Sequence, residues 1–325
     1  MPETTPTAIT MTDLMKPGYT AVVTGASSGI GRAAACHFAA AGMHVFMVDI
    51  DAEELALAQK VVQSLAVLSS AADTQTIQAE IVDVADTVAV DKLAEKVFKE
   101  AGKCHILMNN AGVGLGGGPL TDMSVVKRVV EINTYGPMNG CLAFVPKMKA
   151  TGEPGIIINT GSKQGITMPP GNLTYNMSKA ALKCYTEGLE HELFKERLEQ
   201  SGKLRASLLV PGWVNTSILL KAQKTKAEEK GETYDVSQAF FHEEKPQPGA
   251  WMPAQVINYM VQELDKGVFY IICPDNDVDC ETDNLRMTWT MQDITERRAP
   301  LSRWHPEYKE KFNEFVAASK KEASK

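Results

Sequence analysis

From Tyr19 onward, short runs of apolar and β-branched residues alternate with longer stretches in which apolar positions recur every third or fourth residue. Tyr19–Thr24, His44–Asp49, Thr76–Val82, Ile106–Asn109, Ile156–Thr160, Arg205–Val210 and Val268–Cys273 read as strands. Ile30–Ala41, Glu53–Leu65, Val88–Ala101, a long segment near Asp122–Ala150 and another from Tyr175 to about Gln200 carry the helical period. Strands separated by helices imply parallel pairing, because two parallel neighbours need a long crossover. Several strands are apolar on both faces, as burial between two helical layers requires. The pattern predicts an α/β fold: a single doubly wound domain with a mostly parallel sheet of about seven strands and helices on both faces.

The rhythm follows an N-terminal arm, residues 1–18, and ends near residue 275. Between 217 and 250 it is broken by a stretch rich in Lys, Glu and Gln that also carries Phe240, Phe241 and Pro246, read as an insertion over a substrate site or as a surface excursion. Residues 276–325 form a C-terminal extension with Trp289 and Trp304 set among charges and no clear period, expected to be partly ordered.

A formal charge of −7 repels a phosphate backbone, so no nucleic acid is expected as a partner. The six cysteines form neither a C-x-x-C pair nor a cluster with histidine, so no metal and no disulfide framework is expected, and a cytoplasmic setting is. No run reaches the ~20 apolar residues that span a bilayer, and the N-terminus lacks a basic start followed by an apolar run; no membrane association is expected.

Candidate chemistry begins at Thr24-Gly25-Ala26-Ser27-Ser28-Gly29-Ile30-Gly31, which links the first strand to the first helix. Glycines let a backbone approach a pyrophosphate, and the free N–H groups and dipole at a helix start attract its charge. Gly25, Ser27, Ser28, Gly29, Ile30 and Gly31 are therefore candidate nucleotide contacts, although a tight strand-to-helix turn needs glycine whatever it binds. Asp49 closes the second strand, where a carboxylate accepts hydrogen bonds from both ribose hydroxyls and, with Asp51, repels a 2′-phosphate. NAD is favoured over NADP on this ground, with Arg32 keeping NADP open; Asp49 also suits a simple turn or cap.

Tyr175 and Lys179 lie one turn apart on one helix face. A phenol with a pKa of about 10 is a poor base at neutral pH, and a neighbouring ammonium lowers it toward the range useful for proton transfer. By itself Tyr-x-x-x-Lys is also an ordinary amphipathic pair.

Taken together, the T-G-x-x-x-G-x-G loop, Asn109-Asn110-Ala111-Gly112 and Tyr175-x-x-x-Lys179 resemble the short-chain dehydrogenase/reductase family over about Tyr19–Thr216. The resemblance implies a Rossmann-type domain over 19–275 and an NAD(P)-dependent alcohol dehydrogenase or ketoreductase, with the chain's extra length lying mainly after Thr216. It implies that Asn110, Ala111 and Gly112 lie beside the adenine ribose, that Asp83 and Val84 contact adenine, and that Pro211, Gly212, Val214 and Thr216 contact the nicotinamide end. It assigns Tyr175 as acid/base, Lys179 to the ribose, Ser162 to the substrate oxygen, and Asn133 to a water in a proton relay with Lys179. An asparagine within an apolar helix is costly unless hydrogen-bonded, which fits a functional or a structural kink. A homodimer or homotetramer is implied as well.

For substrate contacts the candidates are Ser162, Tyr175, Gln164, Met168 and Trp213, with Phe240, Phe241, Trp251 and Met252 as further apolar residues equally suited to the core. They point to a bulky, apolar secondary alcohol or ketone. Two alternatives stand beside this: a non-catalytic dinucleotide-sensing regulator, which usually lacks the Tyr/Lys pair, and an epimerase or dehydratase with tightly bound NAD, which usually carries T-G-x-x-G-x-x-G.

Overall fold

The computed structural model describes residues 9–66, 74–114, 116–218, 220–221, 227, 231–232 and 248–323. Its centre is a single sheet of β1 (Thr20–Thr24), β2 (His44–Asp49), β3 (Ile77–Ile81), β4 (Ile106–Asn109), β5 (Gly155–Thr160), β6 (Leu204–Val210) and β7 (Tyr270–Ile272). The strands lie in the order β3-β2-β1-β4-β5-β6-β7, and every neighbouring pair is parallel. Every residue of β1, β4, β5 and β6 is buried, which explains why these runs are mostly apolar.

The helices are α1 (Met11–Leu14), α2 (Gly29–Ala40), α3 (Ala52–Ala66), α4 (Thr87–Ala101), α5 (Met123–Val130), α6 (Gly136–Thr151), α7 (Gln164–Thr167), α8 (Leu173–Glu199), α9 (Pro253–Asp265), α10 (Cys280–Thr295) and α11 (Lys309–Ala323). Successive strand residues point to opposite faces. Ala21 and Val23 thus pack with Phe38 of α2, Leu55 of α3 and Met260 of α9, whereas Val22 and Leu107 pack with Leu93 of α4, Phe144 of α6 and Leu193 of α8. The helices that follow β1 and β4 therefore lie on opposite faces of the sheet.

The predicted strands and helices appear within a few residues of their expected bounds; β7 is the shortest relative to expectation. The long helix near Asp122–Ala150 is interrupted by a π-helical turn, Glu131–Tyr135, between α5 and α6. Asn133 sits in that turn, so the polar residue coincides with a local change of helical register.

Two terminal segments are more ordered than the pattern foretold. In the arm, Thr10 caps α1, Met11 and Leu14 are fully buried, and Thr12 hydrogen-bonds Asp265 of α9 through its N–H (3.0 Å) and hydroxyl (2.9 Å). In the extension, α10 and α11 enclose a small aromatic core: Trp289 packs on Phe312 and Phe315 at ring-centroid distances of 5.4 and 5.3 Å. The Trp289 indole N–H donates to the Ser302 hydroxyl (2.7 Å), which donates to Asp293 (2.5 Å), and the Arg298 guanidinium lies 3.7 Å from the indole centroid. No 3.6-residue stripe announces this core because one large side chain anchors it from contacts with residues far along the chain. Most of the 217–250 insertion, including Phe240 and Phe241, lies outside the described residues.

Trp289→Ala is expected to remove about 3–5 kcal/mol of local packing. Limited proteolysis should then cut within 280–323 at a protease concentration that leaves the wild-type extension intact.

Candidate active site

The crevice opens at the C-terminal ends of β1 and β4, where the strand order reverses. It has a volume of about 700 Å³ and runs from Asp49 and Ile50 at one end to Ser162, Tyr175 and Trp213 at the other.

At the first end the glycine turn is close-packed by necessity. Gly25 has φ +68°, and a Cβ there would stand 2.8 Å from Ala111 Cα; at Gly31 it would stand 2.1 Å from the Gly25 carbonyl oxygen. Gly25, Ser28, Gly29 and Ile30 line the crevice, whereas Gly31 serves packing and Ser27 turns inward. Ser28, the N-cap of α2, makes no side-chain capping bond, so the N–H groups of the first turn keep their capacity for an anion.

Asp49 lines the crevice with its carboxylate already engaged. Oδ2 accepts from the Ser27 N–H (3.0 Å), and Oδ1 accepts from the N–H groups of Ile50 (2.8 Å) and Asp51 (3.2 Å). The carboxylate is thus held by the turn it closes, and Ser27 bears on this end of the crevice through Asp49. Asp83 and Val84 also line the wall; Asp83 accepts from the Ala85 N–H (2.9 Å) and from both terminal nitrogens of Arg128 (3.2 and 3.3 Å). Arg128 is a crevice residue that no motif marks.

The segment after β4 is stitched to β1. The Asn110 and Ala111 N–H groups donate to the Thr24 hydroxyl (2.9 and 3.0 Å), while the Asn110 side-chain amide donates to the Thr24 carbonyl (3.1 Å). Pro211, Gly212, Val214 and Thr216 lie opposite, and Thr216 fills the space in which a Gly29 side chain would sit.

Tyr175 and Lys179 meet as the one-turn spacing predicts, with Lys179 Nζ 5.8 Å from the Tyr175 ring centroid. Lys179 is 4 % exposed. Nζ donates to the Thr160 carbonyl (2.8 Å), and burial, with no carboxylate to oppose it, pushes the pKa down to about 8. Burial raises the Tyr175 pKa, and the hydrogen bond from Ser162 opposes that rise. Proximity to Lys179 does not by itself yield an acidic phenol. Asn133, fully buried, holds the chain next to Lys179: Oδ1 accepts from the Val113 N–H (2.8 Å), while Nδ2 donates to the Val113 carbonyl (3.0 Å) and the Ser178 hydroxyl (3.1 Å). Its side chain is thus engaged with protein, which meets the cost that burial imposes.

Gln164 and Trp213 line the crevice near Ser162, as does Asn172, whose side-chain amide donates to Gln164 Oε1 (3.0 Å). Met168 sits at the end of α7 with φ 51° and is not part of the wall. Trp251 bridges to Val214 and packs on Tyr259, while Met252 lines a separate cleft between α2 and α9. Lys163 and Lys221 are further wall residues that sequence motifs do not mark. Among the described residues no group of three His, Cys, Asp or Glu side chains could hold a metal, and no helix is long and apolar enough to cross a membrane.

These residues fit a dinucleotide: an uncapped helix start behind close-packed glycines, a carboxylate at one end, and a buried ammonium facing the other. Lys179 is held at a cost. Its folded pKa lies below the unfolded value of 10.5, so the penalty acts in full below about pH 8 and fades as pH rises toward 10.5. Lys179→Met is therefore expected to be more stable than wild type at pH 7 without nucleotide, by about 1–2 kcal/mol after loss of the Thr160 hydrogen bond. Thermal melts at pH 7 and pH 10 should show the advantage shrinking at the higher pH.

Residues 19–227 match the family model of short chain dehydrogenases. A 1-deoxy-11-beta-hydroxypentalenate dehydrogenase of Streptomyces exfoliatus is 33 % identical over 202 residues, covering 61 % of this chain and 68 % of that protein. A short-chain dehydrogenase/reductase of Burkholderia phymatum, solved in complex with NAD, superimposes with a TM-score of 0.70 at 27 % identity, covering 87 % of this chain and 96 % of that one. The L-sorbose reductase of Gluconobacter frateurii, solved with NADPH and L-sorbose, superimposes with a TM-score of 0.62 at 28 % identity, covering 78 % of this chain and 91 % of that one. With its fold, its glycine turn and the match across residues 19–227, the chain belongs to the short-chain dehydrogenase/reductase family of oxidoreductases.

Proposed function

We propose that this protein interconverts a bulky, largely apolar secondary alcohol and its ketone, using NAD(H), with Tyr175 as general acid/base. The observation that carries the reading is the meeting of Tyr175, Ser162 and Lys179 in the crevice that also holds the glycine turn and Asp49. When bound, the nicotinamide supplies the hydride acceptor or donor.

Tyr175 takes the hydroxyl proton during oxidation and returns it during reduction. Because burial favours the neutral phenol, Tyr175 is ready as an acid, and its work as a base relies on the Ser162 hydrogen bond and the positive field of Lys179. Ser162 orients the substrate oxygen and stabilises its developing charge. Lys179 spends one N–H on Thr160 and turns its remaining donor capacity toward ribose hydroxyls. Asn133 fixes Val113 and Ser178 around that ammonium.

An uncharged substrate is favoured because Lys163, the cation next to Ser162, is already paired with Asp275 and Asp283. Trp213, Val113 and Ile218 supply apolar wall. Asp49 favours NAD, as does the NAD bound by the Burkholderia phymatum neighbour, while the NADPH of L-sorbose reductase makes the choice one to measure. Exposed Tyr135, Leu142, Leu173 and Met177, on the π turn, α6 and α8, suit a homodimer or homotetramer. The free cysteines accord with a reducing cytoplasm.

The test is absorbance of reduced nicotinamide with aromatic and alicyclic secondary alcohols and NAD+ or NADP+. Wild type should turn over with NAD+, and Tyr175→Phe should lose at least about a hundredfold in rate; a mutant with normal turnover would remove Tyr175 from the chemistry. Asp49→Ala should narrow the preference for NAD+ over NADP+ by at least about tenfold, or about 1.4 kcal/mol, through loss of a charge facing the 2′-phosphate. Bound nucleotide without turnover of any alcohol would point to the sensing role instead.

A further inference from the structure

We propose that Asp283, carried by the C-terminal extension, is a positioning residue for Ser162: through Lys163 it fastens the strap after β5 to α10 and makes the extension part of the active site. The inference rests on the role given above to Ser162.

Lys163 follows Ser162 directly and lines the crevice. Its ammonium sits between two carboxylates from different segments, Asp275 in the turn after β7 (3.4 Å) and Asp283 in the first turn of α10, which it contacts more closely. The side chains of Lys163, Asp275 and Asp283 are 17, 8 and 4 % exposed, so solvent screens the cluster little. Arg286, one turn along α10, and Arg303 supply the balancing positive charge around Asp283.

Asp275 is fixed independently. Oδ1 accepts from the N–H groups of Asp277 (3.1 Å) and Val278 (2.9 Å), and Oδ2 accepts from the Trp213 N–H (3.2 Å). A Cβ on Gly212 would stand 2.7 Å from both Asp275 Oδ2 and Lys163 Nζ, so the ion pair occupies the space that a side chain would need. One ammonium thereby joins the Ser162 strap, the Trp213 wall and the extension.

Ser162 and Lys163 carbonyls accept from the N–H groups of Gly165 (3.0 Å), Ile166 (3.0 Å) and Thr167 (2.9 Å), all within the strap itself. On the opposite side Gly165 lies against α8, where a Cβ would stand 2.7 Å from the Lys179 carbonyl carbon. The strap is therefore gripped between α8, which carries Tyr175 and Lys179, and α10, which carries Asp283. A shift of Lys163 moves the Ser162 hydroxyl relative to Tyr175, and a displacement near 1 Å at a reacting group costs on the order of a hundredfold in rate.

The experiment uses full-length protein saturated with NADH and the near-isosteric variant Asp283→Asn. Hydrogen exchange at the amides of Gly165–Met168 should accelerate at least about tenfold, while exchange in β1 and NADH affinity stay within about twofold of wild type. With 1-phenylethanol and cyclohexanol as the alcohols and NAD+, kcat should fall about 10- to 100-fold, Asp283→Glu should recover most of it, and adding Lys163→Met to Asp283→Asn should cost little more. Unchanged exchange in the strap, or acceleration that extends equally to β1 with a parallel loss of NADH affinity, overturns the proposal, and exchange decides the matter even where neither alcohol reacts. Tyr175→Phe separates the two levels: a fully active Tyr175→Phe protein sinks the reading of the site, whereas an inactive Tyr175→Phe beside a normal Asp283→Asn sinks this inference alone.

Discussion

The adjacency of β1 and β4 is the constraint on which the rest of the structure depends. The chain leaves β1 into α2 on one face and leaves β4 toward α5 and α6 on the other, so no helix covers the gap between the two strand ends. A gap of this kind exposes backbone donors and acceptors, and the protein meets that cost with short side chains. Thr24 accepts from two N–H groups beyond β4, and Asn110 returns a bond to Thr24. The glycines at 25 and 31 let these segments touch. These bonds tie the two strand ends together, and a site held in this way lets binding energy be spent on orientation.

Charge in the crevice is arranged by pairing, with one exception. Asp49 accepts from three backbone N–H groups, Asp83 faces Arg128, Lys163 faces two carboxylates, and Lys221 pairs with Glu54. Among the described residues Lys179 meets a carbonyl oxygen and the face of Tyr175, and burial without a facing carboxylate pushes its pKa down. The uncompensated field therefore falls beside the Tyr175 phenol. Asn133 belongs to this arrangement as a structural part. Its π turn sets an amide between Val113 and Ser178, and the amide keeps the backbone beside Lys179 in place.

Local pattern carried most of this. Strands buried on both faces are mostly apolar, so β1, β4, β5 and β6 were legible, and the glycine turn and the Tyr175/Lys179 spacing are short-range features that survive in any linear reading. What the sequence did not disclose depends on long-range contact. Arg128 reaches Asp83 across the crevice mouth, Lys163 finds Asp275 and Asp283 from far along the chain, and Met11 and Leu14 find α9 from the opposite terminus. None of these has a period or a spacing to betray it. The protonation balance was equally hidden, because a one-turn Tyr/Lys spacing says nothing of how deeply the pair is buried, and here burial works against both charged forms.

The extension shows why such contacts resist reading from sequence and yet matter. Its cohesion is internal to the extension, built on Trp289, Phe312, Phe315 and the Ser302–Asp293–Arg298 bonds. Its tie to the strap is of another kind, a buried ion pair that stabilises little over an apolar contact of the same size but fixes direction and distance. An apolar patch would hold the extension on the sheet in several alignments. A buried carboxylate set among Lys163, Arg286 and Arg303 favours the alignment that keeps these charges balanced, because displacement leaves buried charge uncompensated. Geometry next to Ser162 is therefore set by an interaction whose value lies in specificity, and that is the form of control that loops around a stable sheet require.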